Sequence, residues 1–220
     1  MDDVKWERYG AAAGVLFVIL VVVSSFIAGQ PPAIDDSALE VAKYFRDHDT
    51  AIKVGAFLSG LGAVPFLWFI GSLWSRLRRP EETRRLATIA AGGGVVTLGL
   101  ALVSFAINST TALRFRELGP LGARFFWTLS NIVIGMASFS IAVLVIATSI
   151  AAIRTKVFPV WLGWAGVVLS LAWVVAGIGV ASDSGGLFTF GFIVFLLWVI
   201  WILVISFFLF QPQEQTASAT

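Results

Sequence analysis

The sequence predicts an all-α fold, a polytopic membrane helix bundle of six transmembrane helices with a short external amphipathic helix. Of its 220 residues, 58% are hydrophobic and 13% charged, against roughly 45–50% and about 25% in soluble domains. The charges lie almost entirely between six apolar runs, and crossing a hydrocarbon core of about 30 Å takes roughly 20 helical residues. These runs lack the two-residue alternation of a barrel, and an open sheet would leave backbone groups unpaired in lipid.

The first run covers 11–28. Its flank, MDDVKWERYG, carries acids as well as bases and its apolar length exceeds a signal-peptide core, so it reads as a retained helix. Pro31 and Pro32 stop it, and Ser37 with Glu40 three residues on makes a capping box. Ala38, Val41, Ala42 and Phe45 then fall at i, i+3, i+4 and i+7. This pattern predicts an amphipathic helix near 37–47 that lies on the outer membrane face or caps the bundle.

The second membrane helix, near 54–73, has Asp49 or Thr50 as cap and Pro65 as a kink. Trp74 follows at headgroup depth. Arg76, Arg78, Arg79, Arg84 and Arg85 come next and hold the loop on the cytoplasmic side, where anionic lipids attract them. The third helix lies near 86–107. The fourth, 125–153, is about 43 Å long at 1.5 Å per residue and must tilt or project. Gly119-Pro120 is a natural first turn that lets it start earlier. The short connector RTKVFP makes a tight antiparallel hairpin with the fifth helix, near 160–180, which has Pro159 in its first turn. A sixth near 187–210 completes a single membrane domain over 1–220. The basic loops place both termini in the cytoplasm. Small residues four apart, such as Gly166 and Ser170 or Gly177 and Ala181, and the run Gly92-Gly93-Gly94, allow close helix contact.

Several chemistries are excluded. There is no cysteine and only one histidine, His48, so thiol chemistry, bis-histidine haem ligation and two-histidine metal motifs have no residues. Asp47-His48-Asp49 with Asp35, Asp36 and Glu40 matches no calcium or zinc spacing. No metal, cofactor or catalytic residue is implied, and nucleic acid is not an expected partner. The six runs contain no charged residue, which removes the usual signature of a proton relay or ion path. Among the buried polar side chains, which include Ser138, Asn131 stands out. Its amide cannot satisfy all its donors and acceptors within its own helix, so it needs a partner helix, water or ligand.

The stretches GAFLSGLGAVPFLWFIGSLWSRLRR, ALEVAKYFRDH and ATSIAAIRTKVFPVWLGWAGVVLSLA resemble, in order and spacing, an uncharacterised family of actinobacterial multi-pass membrane proteins with six helices. The resemblance implies a bacterial plasma membrane location and carries no functional residues. Three functional readings follow from the residues. The first is non-enzymatic binding of a hydrophobic ligand, or of a membrane partner protein or second copy, in contact with membrane lipids. The second is a small transporter or channel whose external vestibule is lined by Asn108, Asn131, Arg114, Arg116, Glu117 and Arg124. The third, ranked last, is a lipid-headgroup enzyme using Asp35, Asp36, Glu40, His48 and Asp49 at the outer face.

Overall fold

The computed structural model describes residues 3–27, 29–181 and 185–211, with 3–7, 181, 185 and 188 by their backbone alone. Among them there is no strand. The helices are α1 Asp3–Ile27, α2 Ala38–Asp47, α3 Asp49–Leu61, α4 Ala63–Leu77, α5 Arg84–Thr155, α6 Val160–Gly177 and α7 Gly185–Phe210. Single 3-10 turns, Glu81–Thr83 and Ile178–Ala181, precede α5 and follow α6. Five helical stretches are long and apolar enough to cross a membrane: Arg8–Ile27, Asp49–Leu77, Glu81–Thr155, Val160–Val180 and Thr189–Phe210. The protein is an all-helical polytopic membrane bundle.

The third of these stretches is far longer than a bilayer is thick, because it folds back on itself. Gly119, at φ 64° and ψ 179°, interrupts α5, and Pro120 opens a second arm. The arms 84–118 and 120–155 run antiparallel. The Thr97 and Ser140 hydroxyls are 2.8 Å apart, and Ser104 Oγ donates to the Ser130 carbonyl at 3.0 Å. Gly93 lets the backbones meet: a Cβ there would lie 2.8 Å from both Leu144 N and Ser140 O.

Each arm extends about 50 Å at 1.5 Å per residue, roughly 20 Å more than a hydrocarbon core. The expected third helix, 86–107, therefore stops short, since residues 108–118 are helical too, and the fourth, placed at 125–153, starts at Pro120, where Gly119-Pro120 allows it to begin. This extension stands at the end of the bundle that carries α2. There Val41 and Phe45 of α2, with Ile52, pack on Ala112, Ala123 and Trp127 in a second apolar cluster. Of the two positions expected for the amphipathic helix, capping the bundle is the one observed. Its capping box forms as the sequence predicts: the Glu40 N–H donates to Ser37 Oγ at 3.3 Å and the Ser37 N–H donates to Glu40 Oε2 at 2.9 Å.

The second membrane stretch breaks at Gly62, between α3 and α4. Pro65 has no N–H and its ring crowds the carbonyl of Leu61, so the ladder breaks just before it. The Gly62 N–H still reaches the Leu58 carbonyl at 2.9 Å, and the Phe66 N–H reaches that of Gly62 at 3.1 Å. No side chain caps α3. Asp49 lies inside its first turn and accepts from Thr50 Oγ1 and Lys53 Nζ, each at 2.9 Å. Pro159 is the residue before α6 and not in its first turn. The connector ahead of it turns through Lys156 at φ 53°, and buried Val157 and Phe158 pin it to the core.

Near the basic loop, α1 packs closely on α4 and α7. A Cβ on Gly10 would collide with Ser72, and one on Gly14 with Ser206 and Phe69. Across the α5–α6 interface, Gly163 and Gly166 sit against Ile153 and Ser149, and Gly177 against Phe139. Ala181, the partner of Gly177 in the sequence spacing, lies outside the described side chains.

Two outcomes test this architecture. Gly119 occupies backbone space that is essentially restricted to glycine, so Gly119→Ala should destabilise the protein by about 1–3 kcal/mol in a detergent unfolding titration. Glu40 is held below its ordinary pKa of 4.5, chiefly by the Ser37 hydroxyl and then by the Ser37 backbone. Because the folded pKa is the lower one, this stabilisation is complete above pH 4.5 and is lost as pH falls through the folded value. Hydrogen-exchange protection of α2, corrected for intrinsic rates, should drop across that window in the wild type and change little in Ser37→Ala.

Candidate functional site

A cavity of about 380 Å³ lies in the half of the bundle nearer α2. It is bounded by α1, the α3–α4 break, both arms of α5, α6 and α7. Its volume falls at the lower end of the ~300–1,000 Å³ usual for small-molecule sites.

The floor is aromatic. Phe17 and Phe66 ring centroids are 4.6 Å apart, and Trp198 stands edge-on to Phe17 at 6.0 Å and to Phe66 at 6.2 Å. Trp173 meets Trp198 at 6.2 Å with the ring planes at 90°. These offset and edge-on arrangements favour aromatic contact. The break at Gly62 turns α4 so that Phe66, one residue past Pro65, reaches this cluster.

The polar groups are few and neutral. Ser24 and Ser59 hydroxyls pair at 2.6 Å across the α1–α3 contact, and Ser25 donates to the Val21 carbonyl of its own helix. The second arm of α5 presents Thr128, Asn131, Gly135 and Ser138 to the cavity. These positions follow at i, i+3, i+7 and i+10 along one helix face. Asn131 Nδ2 donates to the Trp127 carbonyl at 2.8 Å, and its Oδ1 has no partner among the described residues. Ser138 is only 5% exposed, and its hydroxyl makes no hydrogen bond to any described residue. Trp173 and Trp198 Nε1 are likewise buried without a partner. Among the described residues no Asp, Glu, Lys, Arg or His lines the cavity; Asp183, between the lining residues Val180 and Leu187, lies outside them.

Of the six residues read as a vestibule, Asn131 alone lines the cavity. Asn108 Oδ1 accepts from Ser130 Oγ at 2.9 Å, between the arms of α5. Arg114 and Glu117 form an exposed pair at 2.8 Å, Arg116 lies over Phe115, and Arg124 is exposed on the projecting hairpin. In the basic loop, Arg78, Arg79, Arg84 and Arg85 are exposed, with Arg78 stacked 4.2 Å above Trp74. Arg76 departs from the expected lipid contact: it is 4% exposed, inside the last turn of α4. Thr83 closes the loop by donating to the Leu77 carbonyl at 2.6 Å.

The acids read as an outer-face site do not form a shared centre. Asp36 accepts from the Ala33 N–H, Glu40 is engaged by Ser37, and the His48 ring stacks on Tyr44 at 5.0 Å. Burial pushes the Tyr44 phenol up to about 12. Among the described residues no three His, Cys, Asp or Glu side chains could together hold a metal ion.

No protein-family model, curated protein or solved structure matches the chain.

Sequence alone had identified Asn131. The depth of Ser138 and the convergence of Phe17, Phe66, Trp173 and Trp198 depend on how six helical segments meet, and no local pattern encodes that. One contact at the cavity wall is directly measurable. A double-mutant cycle on Ser24→Ala and Ser59→Ala should return a coupling of about 0.6 kcal/mol, typical of interhelical hydrogen bonds in lipid. A value indistinguishable from zero would mean that the hydroxyls do not pair.

Proposed function

We propose that the protein is a non-enzymatic membrane receptor or carrier that binds a hydrophobic molecule in this cavity. The supporting observation is the combination on one wall of an apolar chamber with unpaired polar groups. A cavity that only relieved imperfect packing would be dry and apolar throughout. Here the Asn131 carbonyl and the Ser138 hydroxyl face open space without partners, and such groups call for a hydrogen-bonding occupant. Among the described residues, a lining without charge and no converging set of acids and imidazole favour binding over hydrolysis or ion conduction.

In this reading α5 crosses the membrane twice, giving six crossings with both termini in the cytoplasm. The arrangement is supported by the length of each α5 arm and by the exposed Arg78, Arg79, Arg84 and Arg85 at the loop opposite α2. The α2 cap and the α5 hairpin tip then stand outside the cell. In the same reading the bilayer is a bacterial plasma membrane, which the resemblance to actinobacterial six-helix proteins supports. Because the chain has no cysteine, single substitutions can report topology with a membrane-impermeant thiol reagent. Asp47→Cys should label on intact cells and Arg79→Cys only after lysis; the reverse pattern would invert the topology.

Native mass spectrometry of protein released from gently isolated native membrane tests the binding itself. A discrete bound mass is expected. It should be lost in Asn131→Leu and in Ala101→Phe, which fills the chamber, and kept in Leu113→Ala on the distant hairpin. A monomer carrying only bulk phospholipid in every case would refute the binding role.

A further inference from the structure

Accepting the cavity as a ligand site, its lining also restricts the charge class of the ligand. A phosphate or carboxylate group taken into this chamber would meet no counter-charge, since every described lining residue is neutral and the neighbouring segment 182–184 contributes only an acid, Asp183. Burying an unpaired ion in such surroundings is strongly unfavourable. The basic residues at the α2 end, Lys43 and Arg46 of α2, Lys53 of α3 and Arg114, Arg116 and Arg124 of the hairpin, do not line the chamber. A pure hydrocarbon is also a poor match, because it would leave both the Asn131 carbonyl and the Ser138 hydroxyl unsatisfied.

These two polar groups are spaced along the chamber. Asn131 and Ser138 lie two turns apart on the same face of α5, about 10 Å along the axis. Phe66, Trp173 and Trp198 line the floor beyond them. An elongated molecule with its polar head at Asn131 would therefore run past Ser138 and end on aromatic rings. The Asn131 amide has an acceptor and one N–H still open, and Ser138 can donate or accept. Hydroxyl and carbonyl groups fit both.

We propose that the cavity selects an uncharged amphiphile, a lipid-like alcohol, ester or ketone, with its polar group on Asn131 and its apolar body on the Phe17, Phe66, Trp173 and Trp198 floor. Anionic lipids are left to the outside of the bundle.

The floor tryptophans supply the readout, because bromine quenches indole fluorescence on contact. The full-length protein in neutral detergent would be titrated at pH 9 with 11-bromoundecan-1-ol and with ionised 11-bromoundecanoate, which share a chain and differ only in the head. The alcohol is expected to give a saturable quench with at least about tenfold higher affinity than the carboxylate. Asn131→Leu should weaken the alcohol by about tenfold, as for one lost hydrogen bond. Ala101→Phe should leave only the linear quench of lipid-facing residues such as Trp161 and Trp164. It fills the space while leaving the floor rings in place, so it serves if a floor variant fails to fold.

Equal saturable quenching by both heads would overturn the charge selection and leave the binding function standing. Saturable quenching by the carboxylate alone would do the same. If neither probe saturates, the proposed ligand class is wrong. The native mass spectrum then decides whether the binding function falls with it: a discrete bound mass preserves that function, and a bare monomer removes it.

Discussion

The fold depends on the close approach of the two arms of α5. In lipid there is no hydrophobic drive to bring helices together, so association rests on tight packing and a few hydrogen bonds. Gly93 allows the first arm to lie directly on the backbone of Ser140 and Leu144, and the Thr97–Ser140 and Ser104–Ser130 contacts hold that register along the pair. α2, α3, α4 and α6 pack on it directly, and α1 and α7 are placed through α3, α4 and α6. Its first arm receives Ile70 of α4 at Gly94, and its second receives α6, where Ser170 donates to the Ala142 carbonyl at 3.1 Å. Beyond the apolar slab its tip supports α2.

The two halves of the bundle are packed differently. Toward the basic loop, Gly10 and Gly14 bring α1 against α4 and α7, leaving no room even for a methyl group. Buried Leu73, Leu77, Leu144, Ile205 and Leu209 fill that end. Toward α2 the helices part around the chamber, beside the α3–α4 break at Gly62. The aromatic floor is the boundary between the two regions. Below it the bundle is a tightly packed anchor, and above it the separation of α1 and α7 from α5 is the chamber. A rigid lower half is what allows an upper half to remain open, since loss of packing in both would leave the helices without a fixed relation.

What the sequence made legible follows from where local rules apply. The helical class and the capping box of α2 were readable to the residue, because lipid permits little besides helix and because Ser37 and Glu40 act within one turn. The break near Pro65 and the turn at Gly119-Pro120 were readable for the same reason. The length of the α5 arms was not. Apolar runs mark only the part of a helix that lies in lipid, whereas residues 108–118 and 120–124, with Arg114, Arg116, Glu117 and Arg124, stay helical on either side of Gly119, where the hairpin packs with α2. Gly10 and Gly14 form a plain small-x3-small spacing on α1 among 21 glycines; only the structure shows which spacing touches a neighbour. The burial of Arg76 among exposed arginines is likewise a tertiary fact.

Trp127 joins the two apolar regions. Its ring lies 6.0 Å from Phe45 and 6.2 Å from Tyr44, beneath the α2 cap, while its carbonyl accepts the Asn131 amide one turn along. That bond uses one Asn131 N–H and fixes the plane of the amide, which directs the free carbonyl. A side-chain amide without such an anchor would rotate to satisfy itself, and a ligand would bear the cost of ordering it. The projecting hairpin and its cap therefore have a physical consequence inside the chamber. They hold the turn 127–131 in place, and through it the polar group on which recognition of a neutral ligand rests.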